Sequence, residues 1–274
     1  MTLQEILGNE LPRWAQISKD DPVIFTRLAL FRNIKSTRFP SMLQGSEKAK
    51  AAGKLDEAVR YINDHGFGPF IPYSMESLNE EERNVLSEKG FLPEEGRLLD
   101  GNSRLYLNED GSLAIRTNVH DHLAFLGFSG GNTVFSLWKR TARLADEASD
   151  ILDYAFDKEF GYLTASPQFT GSGMKMVSLL FLPGFALHDR IGSLSEFLEL
   201  RGFHLSPAAG KADGACPSTF WKTPGLWASG KWTTCRSWIK SFRKLRKKRK
   251  NSGRTPSKAR RKNFGTASGE PWEP

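Results

Sequence analysis

A glycine-containing loop that ends in a lysine is the stretch whose residue types point most directly to a binding site. Gly171 and Gly173 follow Pro167, and Lys175 stands at the exit of the loop, just before an apolar run. Glycines between two strands let the backbone approach a ligand closely. An ordinary hairpin with a glycine loop has the same pattern, so both interpretations stay open at this level.

The elements that must position this loop can be predicted from periodicity and turn residues. Asn79 and Glu82 have capping-box spacing and predict a helix that reaches about Lys89. Asp110 and Gly111 predict the turn of a hairpin within residues 104–118. The remaining predicted elements are strands at 21–38, 160–165 and 176–182 and helices at 47–64 and 133–154. This alternation of hairpins and helices predicts an α+β fold.

Composition limits the compartment and the class of protein. The chain has 274 residues and no apolar run of membrane-spanning length, and its N-terminus lacks a basic segment followed by an apolar one. We therefore expect a cytoplasmic protein without a membrane span. Cys216 and Cys235 match no metal or redox spacing, so no disulfide framework is expected.

The charge distribution divides the chain after residue 206. Residues 207–274 carry 17 Lys and Arg against 3 Asp and Glu, whereas residues 1–206 carry 22 against 28. We predict a folded domain at 1–206 and a basic, tryptophan-containing tail at 207–274. Basic runs at 240–250 and 258–262 are typical of disordered tails, and also of arms that bind nucleic acid.

Translation in a shifted frame is a third interpretation of the tail. Runs of GAA and GAG codons encode glutamate, and one nucleotide later they read AAG and AGA, which encode lysine and arginine. A Glu-rich helix read out of frame would therefore give a basic run with scattered Trp, Cys, Ser and Pro. This hypothesis applies to the residues after about 210.

The order of motifs around the glycine loop resembles the ATP:guanidino phosphotransferases, a family that includes arginine and creatine kinases and bacterial protein-arginine kinases. The family loop reads GYLTxCPTNxGTGxRASV, and this chain keeps its frame, with Ser166 at the cysteine position and Lys175 at a phosphate-binding arginine. Residues 21–38 resemble the family's VISSRIRLARNLKGYPFP, with Arg27 and Arg32 matched. The resemblance spans about residues 10–206 and is strongest to the bacterial protein-arginine kinases. It implies a catalytic domain with an antiparallel sheet of about eight strands flanked by helices.

The same resemblance implies a partial site for the phosphates of ATP, with Mg²⁺. Five arginine positions of the family fall on Arg27, Ala29, Ala124, Lys175 and Arg201. Cations remain at Arg27, Lys175 and Arg201 and are lost at Ala29 and Ala124. Lysine keeps the charge but lacks the planar fork with which arginine holds phosphate at two points.

The carboxylates that orient and deprotonate a guanidinium in the family are replaced here. By resemblance, the two catalytic glutamates fall on His120 and Ser206, so no catalytic residue is assigned. Asp121 is kept, but strand alternation predicts that it points away from the face of His120. His120 and His122 form an HxH pair, and His204 could lie nearby. A metal site is conceivable there, but paired or solvated histidines are more usual and we predict no metal.

Three hypotheses about function follow. The first is a family member that binds ATP but transfers phosphate weakly or not at all, and serves as a regulatory subunit for a partner protein. The second is an active ATP-dependent protein-arginine kinase, acting on a guanidino substrate or an arginine-containing protein, with Glu109 or Asp121 as the carboxylate. The third is nucleic-acid binding through the basic tail.

Overall fold

Ten strands and five α-helices occur in the part of the chain that the structure describes. The computed structural model describes residues 22–93 and 99–207, together with Ile6, Gly8 and the backbone of Ser218–Lys222. The strands are β1 (Val23–Arg32), β2 (Ile71–Ser74), β3 (Arg104–Leu107), β4 (Leu113–Thr117), β5 (Leu123–Gly130), β6 (Phe156–Asp157), β7 (Gly161–Tyr162), β8 (Met174–Phe181), β9 (His204–Pro207) and β10 (Ser218–Lys222). The helices are α1 (Gly45–Ile62), α2 (Glu80–Glu88), α3 (Val134–Ala148), α4 (Pro183–Leu187) and α5 (Ile191–Glu199).

Eight of the strands form one sheet in the order β2-β3-β4-β5-β1-β8-β10-β9, and every neighbouring pair is antiparallel. The long strand β1 lies near the middle and pairs with β5 and β8. The prediction of an α+β fold, with an antiparallel sheet of about eight strands flanked by helices, is confirmed. Among the described residues, no helix is both long and apolar enough to cross a bilayer.

Alternation along β1 separates two cores. Leu28 and Leu30 pack in one buried cluster with residues of α1 and α3, because successive side chains of a strand point to opposite faces. Ala29 and Phe31 belong to a second cluster on the other face, together with Leu86 of α2. The face that carries Ala29 and Phe31 is therefore the face opposite α1 and α3.

The helix α2 begins at the capping box that the sequence predicts. The Asn79 side chain accepts a hydrogen bond from the Glu82 amide, and the Glu82 carboxylate accepts one from the Asn79 amide, both at 2.9 Å. The predicted capping box is thus present, and the helix continues to Glu88. The predicted hairpin at 104–118 is also present, as β3 and β4 in register.

The predicted helix at 133–154 was wrong at its C-terminal end, since α3 stops at Ala148. The chain then turns and pairs with the end of β1, where the Ala155 amide donates to Asn33 O at 2.7 Å and Lys35 N donates to Asp153 O at 2.8 Å. Long-range backbone pairing therefore overrides the helical pattern of these residues. Similarly, only Gly161–Tyr162 of the predicted strand at 160–165 is paired as a strand.

The backbone of β10 lies between β8 and β9 and pairs with both. This strand belongs to the range 207–274 that was assigned to a tail, so the sheet continues past residue 206. The boundary itself stays a prediction. Both basic runs lie outside the described residues, and so do Cys216 and Cys235.

Candidate functional site

A cleft of about 410 Å³ opens on the sheet face opposite α1 and α3. Its floor comes from β1, β4, β5 and β8, and its walls come from the residues after α2, the turn between β4 and β5, and the loop 163–173. Apolar side chains such as Phe31, Leu92 and Phe169 alternate there with charged ones. The cleft is thus a half-open site in which polar groups converge over a packed sheet.

Two of the three cations predicted to bind phosphate line this cleft. Arg27 comes from the middle of β1, and Lys175 comes from the start of β8. Lys175 pairs directly with Ala29, one of the positions where the resemblance implies a lost arginine, and its Nζ lies 5.6 Å from the centre of the Phe169 ring. The glycine loop therefore delivers Lys175 to the same site as Arg27.

Arg201 lies outside the cleft lining. It follows α5 in a turn, its Nη1 donates to Phe197 O at 2.8 Å, and its guanidinium carbon lies 3.6 Å from the centre of the Phe197 ring. The side chain is exposed and packs along its own helix end. Its predicted contact with ATP phosphates stays a prediction from the sequence.

Gly90, two residues after the end of α2, makes room for Arg27. Its φ is +85°, and a Cβ placed on it would lie 1.8 Å from Arg27 Nη1. Only glycine combines this backbone conformation with so close an approach.

The turn between β4 and β5 places His120 and Asp121 together in the cleft. The expectation that they face opposite ways was wrong, because residues 118–122 form a turn with Asn118 at φ +50° and not a continuous strand. Asp121 Oδ1 accepts hydrogen bonds from Asn33 Nδ2 at 2.6 Å and from the Ala165 amide at 2.7 Å. Asp121 therefore ties β1 to the loop 163–173.

Burial raises the pKa of the Asp121 carboxyl above its ordinary value. The hydrogen bonds from Ala165 and Asn33 and the charges of Arg116 and His120 act in the opposite direction. A half-buried His120 stands beside it, at a position where the resemblance implies a glutamate. The other such position, Ser206, lies on β9 and is not among the residues that line the cleft.

The conceivable metal site of His120, His122 and His204 does not assemble. His122 is fully buried, and its Nδ1 lies 2.9 Å from Asn33 Oδ1, whereas His204 is exposed on β9. No group of three or more His, Cys, Asp or Glu side chains in the described part of the chain could hold a metal ion. Burial lowers the pKa of His122 to about 4, so its imidazole is neutral at pH 7.

The loop 163–173 is also fastened to β1 through Arg32. The guanidinium carbon of Arg32 lies 3.6 Å from the centre of the Tyr162 ring, and its Nη1 donates to Phe31 O at 2.7 Å and Ser172 O at 3.3 Å. A Cβ on Gly173, at φ +60°, would lie 2.6 Å from Phe31 O. Arg32, which matches the family motif, thus holds the cleft wall in place.

Arg116 of β4 is a cleft residue that the sequence interpretation missed. It is 7% exposed, and its Nη1 donates to Phe91 O at 3.1 Å. Burial, and secondly the charge of Arg27, lower its pKa to about 10, so it stays charged at pH 7. The sequence did contain a signal for this residue, since Arg116 stands between Ile115 and Thr117 in an otherwise apolar strand. A charge buried in such a strand requires a specific partner and therefore indicates a candidate site residue.

The sequence matches a known protein family and several of its members. The family model described as "ATP:guanido phosphotransferase, C-terminal catalytic domain" matches residues 53–214. A protein-arginine kinase of Exiguobacterium sp. is 28% identical over 214 residues, which cover 78% of this chain and 59% of the relative. A protein-arginine kinase of Moorella thermoacetica is 30% identical over 183 residues, which cover 65% of this chain and 51% of the relative. The chain thus spans between half and three fifths of these relatives.

Solved structures show the same fold. The duplicated taurocyamine kinase from Schistosoma mansoni, with bound transition state analog components, matches with a TM-score of 0.69 and 18% identity over 91% of this chain and 37% of that one. Lombricine kinase matches with a TM-score of 0.68 and 14% identity over 89% of this chain and 71% of that one. Because the family match spans more than half of the 274 residues, the chain belongs to the ATP:guanido phosphotransferase family.

Proposed function

We propose that this protein binds ATP with Mg²⁺ in the cleft through Arg27 and Lys175 and transfers its phosphate to a guanidinium weakly or not at all. The observation that carries the proposal is the convergence of both cations, from different strands, on one cleft beside the loop 163–173. A triphosphate carries several negative charges, and cations positioned before binding stabilise it without reorganisation.

The residues of the cleft fit Mg²⁺ that arrives with the nucleotide. Mg²⁺ keeps most of its waters and is usually held by substrate phosphates with one or two carboxylates. Among the described residues that line the cleft, Asp121 is the one carboxylate. The metal would neutralise phosphate charge, while Arg27 and Lys175 orient the chain of phosphates.

The residues of the cleft are poorly suited to phosphoryl transfer to a guanidinium, because the reaction requires a carboxylate that can accept a proton. A nitrogen–phosphorus bond forms, the bond to the leaving ADP oxygen breaks, and the guanidinium nitrogen loses a proton. Since a guanidinium keeps its proton up to about pH 12, a carboxylate must orient it and accept that proton. His120 and Ser206 stand at the glutamate positions, and Asp121 Oδ1 is already engaged by Asn33 and Ala165.

An active protein-arginine kinase is the second candidate, and one observation favours it. Asp121 lies in the cleft and has a raised pKa, as a general base requires. Glu109, the other carboxylate considered, is exposed in the turn between β3 and β4 and is not part of the cleft lining. The acceptor would be a guanidino substrate or an arginine-containing protein, the latter in keeping with the name protein-arginine kinase that the relatives carry.

Calorimetry with ATP and Mg²⁺ on the full chain, combined with an assay for phosphoarginine, tests the proposal. We expect measurable binding, little or no phosphoarginine, and a loss of affinity of roughly 10- to 100-fold in Arg27→Ala, since one charge-assisted contact is removed. Lys50→Ala removes an exposed cation of α1, on the opposite face, and should bind as the wild type does.

The outcomes separate the candidates. Phosphoarginine formation that disappears in Asp121→Asn would favour the active kinase over the proposed weak one. Absence of ATP binding in the folded wild-type chain would reject both. Nucleic-acid binding by the tail and a cytoplasmic location stay predictions from the sequence.

A further inference from the structure

Arg116 is the charged side chain of the cleft that the family resemblance leaves unexplained. It is 7% exposed, and its Nε has no hydrogen-bond partner among the described residues. Its Nη1 donates to Phe91 O at 3.1 Å, which holds the guanidinium at the cleft. A buried charge with an unused N–H group is unfavourable, because desolvation is not fully compensated. An anion in the cleft would remove that penalty.

The charges around Arg116 also favour an anion. Arg27, Arg116 and Lys175 all line the cleft, whereas Asp121 is the one carboxylate among the described lining residues. The charge of Arg27 opposes that of Arg116, so the two guanidinium groups are close enough to repel each other. Like charges gathered in a half-buried cleft raise the local concentration of anions and bind them strongly.

The register of β4 and β5 relates Arg116 to a position where a cation is missing. Arg116 pairs directly with Ala124, where the resemblance implies an arginine of the phosphate clamp. Residues directly opposite in an antiparallel pair share one face of the sheet, with Cβ atoms about 4.5–5.5 Å apart. An arginine can span this distance, so its guanidinium can serve the same region of the cleft from either strand.

We propose that Arg116 binds the polyphosphate of a nucleotide and replaces, from the neighbouring strand, the cation that is absent at Ala124. This role rests on the proposed ATP site and adds to it a third cation that the family positions do not contain. The planar guanidinium can hold two phosphate oxygens at once, which the lysine at 175 cannot do. The ligand class is a nucleoside triphosphate, and inorganic triphosphate with Mg²⁺ is its simplest probe.

Calorimetry of the full chain with ATP–Mg²⁺ and with triphosphate–Mg²⁺ tests the replacement. In Arg116→Met, which keeps the long unbranched side chain without its charge, we expect both affinities to fall roughly 10- to 100-fold. In the double variant Arg116→Met with Ala124→Arg, the guanidinium returns to β5, and we expect both affinities to lie within about threefold of the wild type. Thermal unfolding of each variant checks that the fold is retained.

A purely structural Arg116 would not give this rescue. Unchanged affinities in the folded single variant, or a folded double variant that binds no better than the single one, would overturn the proposal. Should Arg116→Met fail to fold, the double variant decides alone, since near wild-type binding supports the replacement and absent binding contradicts it. A wild-type chain that binds neither probe would instead remove the proposed ATP site itself, and this inference with it.

Discussion

At the scale of single residues, the cleft depends on a small buried network centred on Asn33. The Asn33 side chain donates to Asp121 at 2.6 Å and to Leu163 O at 3.0 Å, and its Oδ1 accepts from the His122 amide at 2.9 Å. One amide thus joins β1, the turn that carries His120, and the loop 163–173. Because the nitrogen and the oxygen of the Asn33 side chain are both paired, they hold these segments in one arrangement, and losing a partner would leave costly unpaired groups.

His122 makes this network sensitive to acid. Its folded pKa of about 4 lies below the ordinary value of 6.5, so the unfolded chain takes up the proton first as the pH falls. The contribution of neutral His122 to the free energy of unfolding is therefore present above about pH 6.5 and is lost as the pH falls towards 4. Between pH 7 and pH 5 we expect His122 to remove about 2 kcal/mol from the free energy of unfolding.

Urea unfolding at pH 7 and pH 5, on the wild type and on His122→Gln, measures this effect. Glutamine does not titrate, so the difference between the two pH dependences isolates His122 from Asp121, which titrates in the same network. Equal pH dependences in the two proteins would show that His122 does not carry the acid sensitivity.

At the scale of elements, the end of α2 sets the position of Arg27 on β1. We expect Gly90→Ala to push the Arg27 guanidinium aside, because the new Cβ would lie 1.8 Å from Nη1. The affinity for ATP–Mg²⁺, measured by calorimetry, should fall roughly tenfold. The change has the same sign as the loss expected for Arg27→Ala. Backbone strain at φ +85° should also lower the stability by about 1 kcal/mol.

Gly66→Ala is the matched control for this strain. Gly66 has nearly the same conformation, with φ +88°, but nothing lies within 4 Å of its Cβ position. The control should therefore lose similar stability and keep its affinity for ATP. If both variants lose affinity equally, the strain and not the contact with Arg27 is responsible.

At the scale of the whole molecule, the sheet reaches into the range assigned to the tail. β10 supplies the backbone partners of β9 and of one side of β8, so a chain that ends at residue 207 would leave both strands with unpaired N–H and C=O groups. We expect this truncation to lower the free energy of unfolding by several kcal/mol, measured in urea. A chain that ends at residue 239 keeps β10 and loses both basic runs, so its stability separates the effect of losing β10 from that of losing the runs.

These truncations also bear on the nature of the tail. Equal stability of the chain that ends at 207 would support a domain that is complete without β10.

The shifted-frame hypothesis is tested separately on the parent DNA, where another forward frame should encode family-like sequence after codon 210. If neither alternative frame does so before its first stop codon, that hypothesis is wrong.

Local sequence patterns predicted most of the elements and the family, whereas packing between distant segments determined which side chains meet. The capping box of α2, the hairpin of β3 and β4 and the glycine loop that ends in Lys175 depend on neighbouring residues, so local patterns predicted them. The location of Arg201 outside the cleft, the turn that brings Asp121 beside His120 and the presence of Arg116 depend on strand register and on packing between distant segments. A one-residue shift in register sends a side chain to the opposite face, and such pairing is fixed only when the whole sheet assembles.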